Sequence, residues 1–450
     1  MFQSFEALTD PAQGADRVAR LRAHLAGLGL DGFLVPRADE HQGEYVPPRA
    51  ERLAWLTGFT GSAGVALVLR ESALLFVDGR YTLQAPAQVD TEIFTVESLV
   101  DNPPAKWLAT HAGAGLALGF DPWLHTVAEA EALRAALEKA GGGLVPVETN
   151  AVDAIWADQP APPSERIEIH PAGFAGELAR DKIARLAATL RDEGATHAVL
   201  TDPSSLAWVF NIRGRDVPHT PLALGFAILA ADGLPLVFLA RAKLDMESDA
   251  YLTQLAEVLE PEALEERLAA IAAGGGKIAL DPALAADRLR MIVEDHGGEV
   301  VRLADPARLP RAIKNEAELA GARAAHRRDG AAIVRFLHWL DTQAAGSVDE
   351  IAAVTALEGL GQSGALEATL AEIRAEVAQH RAALAEARSV QLEQTVVQLA
   401  LQGPQPFDLG MQQRQQADHL HHAILCAALC VVPLQVAEHA REDRPVGCCL

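Results

Sequence analysis

The pattern of apolar and polar positions predicts helices that lead into short apolar strands. In residues 15–28 the apolar side chains recur at helical spacing, at Val18, Leu21, Leu25 and Leu28. Glycines end this helix before an apolar run, Phe33 to Val35, which is typical of a strand. Further strands are predicted at Val65 to Leu69 and Ala73 to Val77, and a helix at Ala128 to Leu137. Helices that alternate with short strands indicate an α/β unit with a mixed sheet.

The same order of elements recurs in the second half of the chain. It comprises a helix at Glu177 to Arg191, strands near Ala198 to Leu200, Leu224 to Ala230 and Leu234 to Leu239, and a helix at Glu262 to Ala273. Two motifs recur with them: Leu53-Ala54-Trp55 as Leu206-Ala207-Trp208, and Phe120-Asp121-Pro122 as Leu280-Asp281-Pro282. A repeat of roughly 155 residues is too long for a solenoid or a propeller. We therefore expect residues 5–155 and 174–305 to superpose as two tandem copies of one mixed α/β fold, with the two tryptophans at equivalent positions.

Two stretches connect these elements. The glycine-rich segment GFTGSAG, with Gly58, Gly61 and Gly64, superficially suggests a phosphate-binding turn. It lacks the preceding strand signal and the acidic partner of such a turn, so we predict a tight hairpin-like connection. The proline-rich stretch Asp158 to Pro163, DQPAPP, is predicted to be a linker between the two copies.

A third segment is predicted to begin with a capped helix. Asn315 precedes a first turn that contains Glu316 and Glu318, and this arrangement favours a helix start. The buried stripe of the helix is predicted to include Leu319, Ile333, Leu337 and Leu340. A second helix is predicted at Val348 to Leu357.

After Glu358 the pattern changes to a coiled-coil-like seam. Its positions step by four and three, at Leu366, Leu370, Ile373, Val377, His380, Leu384 and Ala387, which gives about three heptads. All four cysteines lie in the last 25 residues. Cys426 and Cys430 could share one helix face as a metal or disulfide site, although an apolar helix face also explains their spacing. We predict a helical tail here and expect it to be the least stably folded part of the chain.

Composition and charge narrow the classes of partner. The chain has 450 residues, of which 50% are hydrophobic, and a formal net charge of -23. Nucleic acid and anionic membranes require a basic surface, so neither is expected as a partner. The amino terminus shows no basic region followed by an apolar core, and no apolar run has the length of a membrane span. We therefore expect a cytoplasmic protein.

Three motifs near the amino terminus resemble a known family. DEHQGEY within residues 36–48, and GFTGSAG and VDGRYTLQA within residues 53–84, are similar to the first domain of Xaa-Pro aminopeptidases, which are creatinase-like metallopeptidases. Residues 204–221 resemble the second domain, and the segment that begins at Ile313 resembles the first helix of the third. The resemblance covers about residues 5–358. It implies two domains with the creatinase amino-domain fold, followed by a pita-bread domain.

The resemblance also implies a function. Relatives use two manganese ions to activate a water molecule that cleaves the peptide bond before a penultimate proline, as paired metals generally do. The partner of intact relatives is therefore a peptide with proline at its second position. We expect this chain to form a homo-oligomer such as a dimer.

The metal ligands of the family are not recognisable in this sequence. The family pattern is two aspartates with ten residues between them, followed by a histidine and two glutamates. Asp408 and Asp418 have nine residues between them and lie in glutamine-rich sequence. A cluster in the tail could bind a divalent ion, because imidazole and carboxylate suit zinc or nickel; it comprises His419, His421, His422, Glu438, His439 and Glu442. A solvated histidine-containing helix or a disordered tail is the alternative.

Two residues of the first domain are carried over from the resemblance as candidate substrate-binding residues. Glu44, in GEY, and Arg80, in DGRY, match positions that approach the active cleft in relatives. An internal ion pair or a capping interaction that fixes the loop is the alternative for both. Four other polar residues are expected to have structural roles: Asp78 in a turn, Tyr81 in the core, and His41 and His219 as hydrogen-bonding loop histidines.

These observations give two main hypotheses, beside the third possibility of a new metal site in the tail. The first is a family member whose catalytic domain is cut after two helices and replaced by an unrelated tail, so that the chain alone is inactive; a gene fusion, a frameshift or an assembly artefact would each produce it. The second is a non-catalytic binding or dimerisation module. The expected domains are residues 1–160 and 161–310 for the two α/β domains, 311–358 for the first helices of a pita-bread domain, and 359–450 for the tail.

Overall fold

The computed structural model of this protein describes residues 10–362. One compact unit extends to Leu319, and the chain from Ala320 onward belongs to another. The first of these units contains two six-stranded mixed sheets. Each sheet is formed by one copy of the sequence repeat, and we refer to these as the first copy and the second copy.

The first copy builds its sheet from residues 32–146. Its strands are β1 (Gly32–Pro36), β2 (Gly64–Leu69), β3 (Ala73–Val77), β4 (Phe94–Ser98), β5 (Ala117–Phe120) and β6 (Gly143–Pro146). Its helices are α1 (Gly14–Gly27), α2 (Arg52–Thr57), α3 (Gln84–Gln88), α4 (Pro104–His111) and α5 (Val127–Ala140). The strand order is β4-β3-β2-β1-β5-β6. β2 is antiparallel to β1 and β3, and the other pairs are parallel.

The second copy repeats this topology. Its strands are β7 (Glu168–Ile169), β8 (His197–Leu200), β9 (Ile212–Arg213), β10 (Phe226–Ala230), β11 (Leu236–Phe238), β12 (Glu257–Leu259), β13 (Lys277–Leu280) and β14 (Glu299–Arg302). Its helices are α6 (Ala172–Ala175), α7 (Ala179–Asp192), α8 (Pro203–Val209), α9 (Met246–Thr253), α10 (Leu264–Ala273), α11 (Asp287–Asp295) and α12 (Arg308–Ala312). The order β12-β11-β10-β8-β13-β14, with β10 antiparallel to its neighbours, matches the first sheet pair by pair. The repeated strand order expected from the sequence is therefore confirmed. β7 and β9 form a separate two-stranded ribbon.

Both faces of each sheet carry a hydrophobic core. In β1, Phe33 and Val35 pack on one face and Leu34 packs on the other. In β10, Ala227 and Leu229 pack on one face and Ile228 on the opposite one. A strand that is buried on both faces appears in the sequence as a continuous apolar run rather than an alternating one. This explains why short unbroken apolar runs identified the central strands.

The two tryptophans of the repeated motif occupy equivalent environments. Arg17 on α1 donates a hydrogen bond to the carbonyl oxygen of Trp55, and its guanidinium lies 4.6 Å from the indole centroid. Lys182 on α7 donates to the carbonyl oxygen of Trp208 at 2.9 Å, and its ammonium lies 4.2 Å from that indole. Both α1 and α7 contain the sequence Ala-Arg-Leu, and each cation lies three residues before the arginine of that sequence. The duplication therefore preserves a cation–π contact as well as the sheet.

The buried cation of the second copy predicts a pH dependence of stability. Burial lowers the pKa of Lys182 to about 8, against the opposing effects of Glu177 and Glu318, and its side chain is only 1% exposed. The unfolded chain therefore binds this proton more tightly than the folded one. This difference lowers the free energy of unfolding. The full decrease is present below pH 8 and is lost as the pH rises towards the ordinary lysine pKa. We expect the free energy of unfolding to gain up to about 3 kcal/mol from this lysine over that range.

The measurement is urea unfolding of the full chain at several pH values between 7.5 and 10.5, with Lys182→Met as the control. The wild-type minus variant difference should increase with pH. The same pH slope for both proteins would contradict the expectation.

The glycine-rich segment is not a hairpin connection, and this prediction was wrong. Leu53 to Leu56 lie in α2, and Gly58 ends that helix with φ +87°, so the segment joins a helix to β2. A Cβ on Gly58 would lie 2.5 Å from the carbonyl oxygen of Gln88, which together with the positive φ requires glycine there. The hairpin of this sheet lies one step later, at residues 70–72 between β2 and β3. Its counterpart between β10 and β11, residues 231–235, is longer.

The third segment consists of α13 (Glu316–Asp341) and α14 (Glu350–Gln362). The predicted cap is confirmed: Asn315 Oδ1 accepts from Glu318 N at 3.0 Å, and the Glu318 carboxylate accepts from Asn315 N at 2.9 Å. The predicted buried stripe is wrong for three of its residues, because Ile333, Leu337 and Leu340 are 44%, 52% and 39% exposed. Helical periodicity identifies an apolar face, but only another element packed on that face buries it.

The predictions for the carboxy-terminal tail concern residues outside the described part of the chain. These are the seam from Leu366 to Ala387, the cysteines, and the histidine and acid cluster around His419. Among the helices between residues 10 and 362, none combines the length and the apolar character that a bilayer crossing requires.

Candidate functional site

Three sequence motifs converge at one edge of the first sheet. β1 and β3 are both antiparallel to β2, so both end at the edge where β2 begins. DEHQGEY follows β1, DGRY follows β3, and GFTGSAG precedes β2. The Tyr81 hydroxyl accepts from Ser62 N at 3.0 Å and lies 2.7 Å from Ser62 Oγ, which ties two of the motifs together. Ligands of open α/β sheets bind beyond the carboxyl ends of the parallel strands. This edge is therefore the candidate site.

The two candidate substrate-binding residues, Glu44 and Arg80, lie in loops at this edge and are both exposed. Arg80 Nε and Nη2 donate to the Asp78 carboxylate at 3.1 and 2.6 Å. The Asp78 carboxylate raises the pKa of Arg80 above its usual value, and the charge of Glu44 acts in the same direction. The Glu44 carbonyl oxygen accepts from Arg37 at 2.6 Å, which fixes the main chain of the loop. An exposed carboxylate and an exposed guanidinium at one sheet edge can each pair with a charged group of a peptide.

Asp78 and Tyr81 have the structural roles expected of them. Asp78 Oδ1 accepts from Arg80 N at 2.9 Å and caps a short turn at Gly79–Tyr81. The hydrogen bond from Arg80 lowers the pKa of Asp78. Tyr81 is half-buried and lies edge-on to Phe59, with the ring centroids 5.3 Å apart. Together these contacts fix the backbone that presents Arg80.

The histidines of the two loops differ in their surroundings. His41 is buried, its Nδ1 lies 3.1 Å from the Thr201 carbonyl oxygen, and its ring stacks on Phe226 at 4.3 Å. Its expected role as a hydrogen-bonding loop residue is confirmed, and its partners belong to the second copy. His219 is exposed at a tight turn with φ +59°.

The sequence reasoning missed three charged residues, two in the loop after β1 and one at the start of α2. Asp39, Arg37 and Arg52 each have a buried polar atom without a hydrogen-bond partner among the described residues, namely Asp39 Oδ2, Arg37 Nε and Arg52 Nη1. Arg52 is otherwise held by two hydrogen bonds to Asp153, at 2.7 and 2.8 Å. The high density of charged residues in 36–52 was the sequence feature that could have identified them. These groups support the loop that carries Glu44.

The metal ions of the resembled family do not fit the described residues. Between residues 10 and 362, no group of three or more histidine, cysteine, aspartate or glutamate side chains is placed to hold a metal ion. At the candidate edge the Asp78 carboxylate is bonded to Arg80, and the Asp39 carboxylate accepts from two main-chain N–H groups.

Two family models match consecutive parts of the chain, and both are described as the Creatinase/Prolidase N-terminal domain. One matches residues 17–155 and the other residues 158–318. The second match begins at Asp158, the first residue of the stretch DQPAPP. Each match contains one of the two six-stranded sheets.

Curated relatives match the chain over both domains. A protein named Probable Xaa-Pro aminopeptidase P from Ajellomyces dermatitidis is 34% identical over 347 residues, which is 74% of this chain and 56% of that protein. The protein of the same name from Aspergillus niger is 35% identical over 373 residues, or 79% of this chain and 60% of that protein. The chain therefore spans little more than half the length of these relatives.

A solved structure shows the same arrangement. The X-prolyl aminopeptidase from Caenorhabditis elegans, described as a cytosolic enzyme with a di-nuclear active site, superposes with a TM-score of 0.72 at 27% sequence identity. The match covers 77% of this chain and 59% of that one. From the two domain matches, the relatives and this structure, the chain belongs to the creatinase/prolidase family, as a relative of Xaa-Pro aminopeptidase P with two creatinase/prolidase N-terminal domains in tandem.

Proposed function

We propose that the two α/β domains position a peptide substrate for an Xaa-Pro aminopeptidase reaction and do not themselves carry the chemistry. The observation that supports this is the convergence of the three family motifs at one sheet edge, where the side chains of Glu44 and Arg80 are both exposed. The substrate class is a peptide with a penultimate proline. Glu44 and Arg80 orient it through its charged groups, and their loops are held by Arg37 and Asp78.

The domain organisation belongs to the same proposal. The two α/β domains are residues 1–160 and 161–310, the first helices of a pita-bread domain are residues 311–358, and residues 359–450 form a separate tail. The matches to N-terminal domain models end at residue 318, which supports this division. We place the protein in the cytoplasm, since the X-prolyl aminopeptidase from Caenorhabditis elegans is described as cytosolic.

We further propose that this chain alone does not hydrolyse Xaa-Pro peptides, with or without added manganese. Two-metal hydrolysis needs ligands held around both ions and a bridging water whose pKa their charge lowers. The family's ligand pattern is not recognisable in the sequence, and Glu44 and Arg80 cannot generate that nucleophile. Residues that orient a peptide without an activated nucleophile can bind the peptide but cannot cleave it.

The test is release of the first residue from an Xaa-Pro-Xaa peptide by manganese-loaded full-length protein. The enzyme from Caenorhabditis elegans serves as the positive control. We expect no release above background. Turnover that a chelator abolishes would refute the proposal and direct the search for ligands to His419, His421, His422, Glu438 and Glu442.

The exposed face of α13 favours a second candidate function, a non-catalytic association module. Ile333, Leu337 and Leu340 recur at helical spacing on this face, and all three are exposed. The occupant of this surface is a second copy of the chain, in a homodimer. Light scattering of the full chain should then give twice its 47.8 kDa mass, and Leu337→Glu should give the monomer. A monomeric wild type would remove this candidate and leave the first unaffected.

A further inference from the structure

The two copies contact each other through the starts of equivalent helices, α5 and α11. Thr126, just before α5, and Ala286, just before α11, form an antiparallel bridge. Four main-chain hydrogen bonds surround it: Asp287 N to His125 O and Val127 N to Ala285 O, both at 2.9 Å, Arg288 N to Pro122 O at 2.9 Å, and Ala128 N to Pro282 O at 3.0 Å. The contact is therefore built mainly from backbone atoms.

These hydrogen bonds are reciprocal. Because Asp121-Pro122 corresponds to Asp281-Pro282 in the repeat, the residues that follow correspond in the same register. Every bond from the second copy to the first is then repeated by the counterpart bond from the first copy to the second. An interface in which residue i contacts j and j contacts i is the property of two identical subunits related by a two-fold axis. The backbone of this domain type thus forms a self-complementary surface.

Apolar contacts extend the surface. Val127 of the first copy is buried in the hydrophobic core of the second copy, and Trp123 packs against the same core. The Trp123 ring lies 5.9 Å from Phe226, on which His41 also stacks. Burial of such side chains favours the association of the two copies.

The charged side chains at this interface are not reciprocal. Arg134 on α5 donates to the carboxylate of Asp287, which is completely buried, and Arg290 Nε donates to the same carboxylate at 2.7 Å. In the repeat, Asp287 corresponds to Val127 and Arg134 corresponds to Glu294. The duplicated backbone therefore carries a charge pair that exists only between unlike copies.

This asymmetry discriminates against pairing of like copies. If the first copy paired with another first copy, Arg134 would lie near Val127, and its guanidinium would have no carboxylate partner. If the second copy paired with another second copy, Glu294 would lie near Asp287, and two carboxylates would face each other. A juxtaposition of like charges in a buried interface is strongly unfavourable, so the ion pair selects the unlike partner.

We propose that this surface, residues 121–134 of the first copy and 281–294 of the second, is a docking interface that holds the two domains together without a covalent connection. The Arg134–Asp287 pair determines its specificity. The partner of the first domain is the second domain of the same chain.

The experiment cuts the linker in the full-length protein. Residues 161–166 are largely exposed, so the recognition sequence of a site-specific protease is inserted between Pro163 and Ser164. After cleavage, native mass spectrometry and size-exclusion chromatography at protein concentrations on the order of 1 μM should show both fragments in one complex. Arg134→Met should raise the dissociation constant of the fragments by one to two orders of magnitude, because it leaves Asp287 with fewer partners.

Arg302→Met is the matched control. Arg302 pairs with Glu131 across the same interface at 2.6 Å, but both side chains are exposed, so the dissociation constant should change by less than about fivefold. Circular dichroism of the uncleaved variants tests whether they fold; if Arg134→Met does not, Arg134→Gln, which also removes the charge, replaces it under the same criterion. Separation of the wild-type fragments, or an effect of the Arg134 variant no larger than that of Arg302→Met, would overturn the proposal.

Discussion

Lys243→Met is expected to destabilise the second domain by about 3–5 kcal/mol, because it removes one partner of a buried ion pair. Lys243 Nζ lies 2.7 Å from Asp216 Oδ2, and the two side chains are 6% and 0% exposed. The same carboxylate oxygen accepts from Leu224 N at 2.7 Å, and Lys243 Nζ donates to Leu224 O at 3.2 Å. The pair therefore fixes the loop of residues 214–224, and the variant would leave the Asp216 carboxylate buried without its cation. Urea unfolding of the full chain, followed by tryptophan fluorescence, measures the loss.

Two further variants separate this effect from a general loss of charge. Lys277→Met removes the cation from an exposed pair, Lys277 with Glu299 at 3.1 Å, whose side chains are 51% and 61% exposed; its effect should stay below about 1 kcal/mol. The double variant Asp216→Leu with Lys243→Met removes both buried charges and should recover much of the stability, since apolar replacement of a whole buried pair is often close to neutral. Equal losses for the buried and the exposed lysine would contradict this reasoning.

Phe76→Ala and Phe238→Ala are expected to cost about 3–5 kcal/mol each, and similar amounts. Both side chains are completely buried, Phe76 in β3 and Phe238 in β11. These strands correspond in the two sheets, and each phenylalanine packs into the core on the face that also receives the long helix preceding the last strand, α5 or α11. The repeat therefore predicts matching cavities in the two domains. Thermal or urea unfolding of each variant gives the two losses.

Phe76→Leu and Phe238→Leu are the controls for this pair. Leucine keeps most of the buried volume, so each loss should be below about 1.5 kcal/mol. A large loss for one alanine variant and a small loss for the other would show that the two cores are not energetically equivalent despite their common strand order.

The repeat made much of the fold predictable from the sequence. Central strands such as β1 and β3 are buried on both faces, so their continuous apolar runs were recognisable. The order of the strands within each sheet could not be predicted from the sequence, because it depends on which strand a distant segment pairs with. In the first domain, for example, β5 pairs with β1, from which most of the domain separates it in sequence. Short marginal strands such as β6 and the ribbon of β7 and β9 carry little apolar signal.

The candidate site was predictable only in part. Glu44 and Arg80 came from resemblance to a family, and local sequence could not show that their loops meet at one edge of the sheet. The missed residues depend on distant partners: Arg52 binds Asp153, and His41 binds the Thr201 carbonyl group of the other copy. Hydrophobic periodicity cannot predict such pairs, because it gives information only on residues within one helix or strand.

The hairpins at residues 70–72 and 231–235 have a practical consequence for protein engineering. Both lie at the edge of their sheet that is opposite to the ends of β1 and β8. The second is longer, yet the flanking strands keep the same pairing in the two copies. The duplicated halves have thus already accepted a change of length at this position. A peptide tag or a circularly permuted terminus placed at Glu71 or Asp232, both exposed, should leave the sheets and the opposite edge undisturbed.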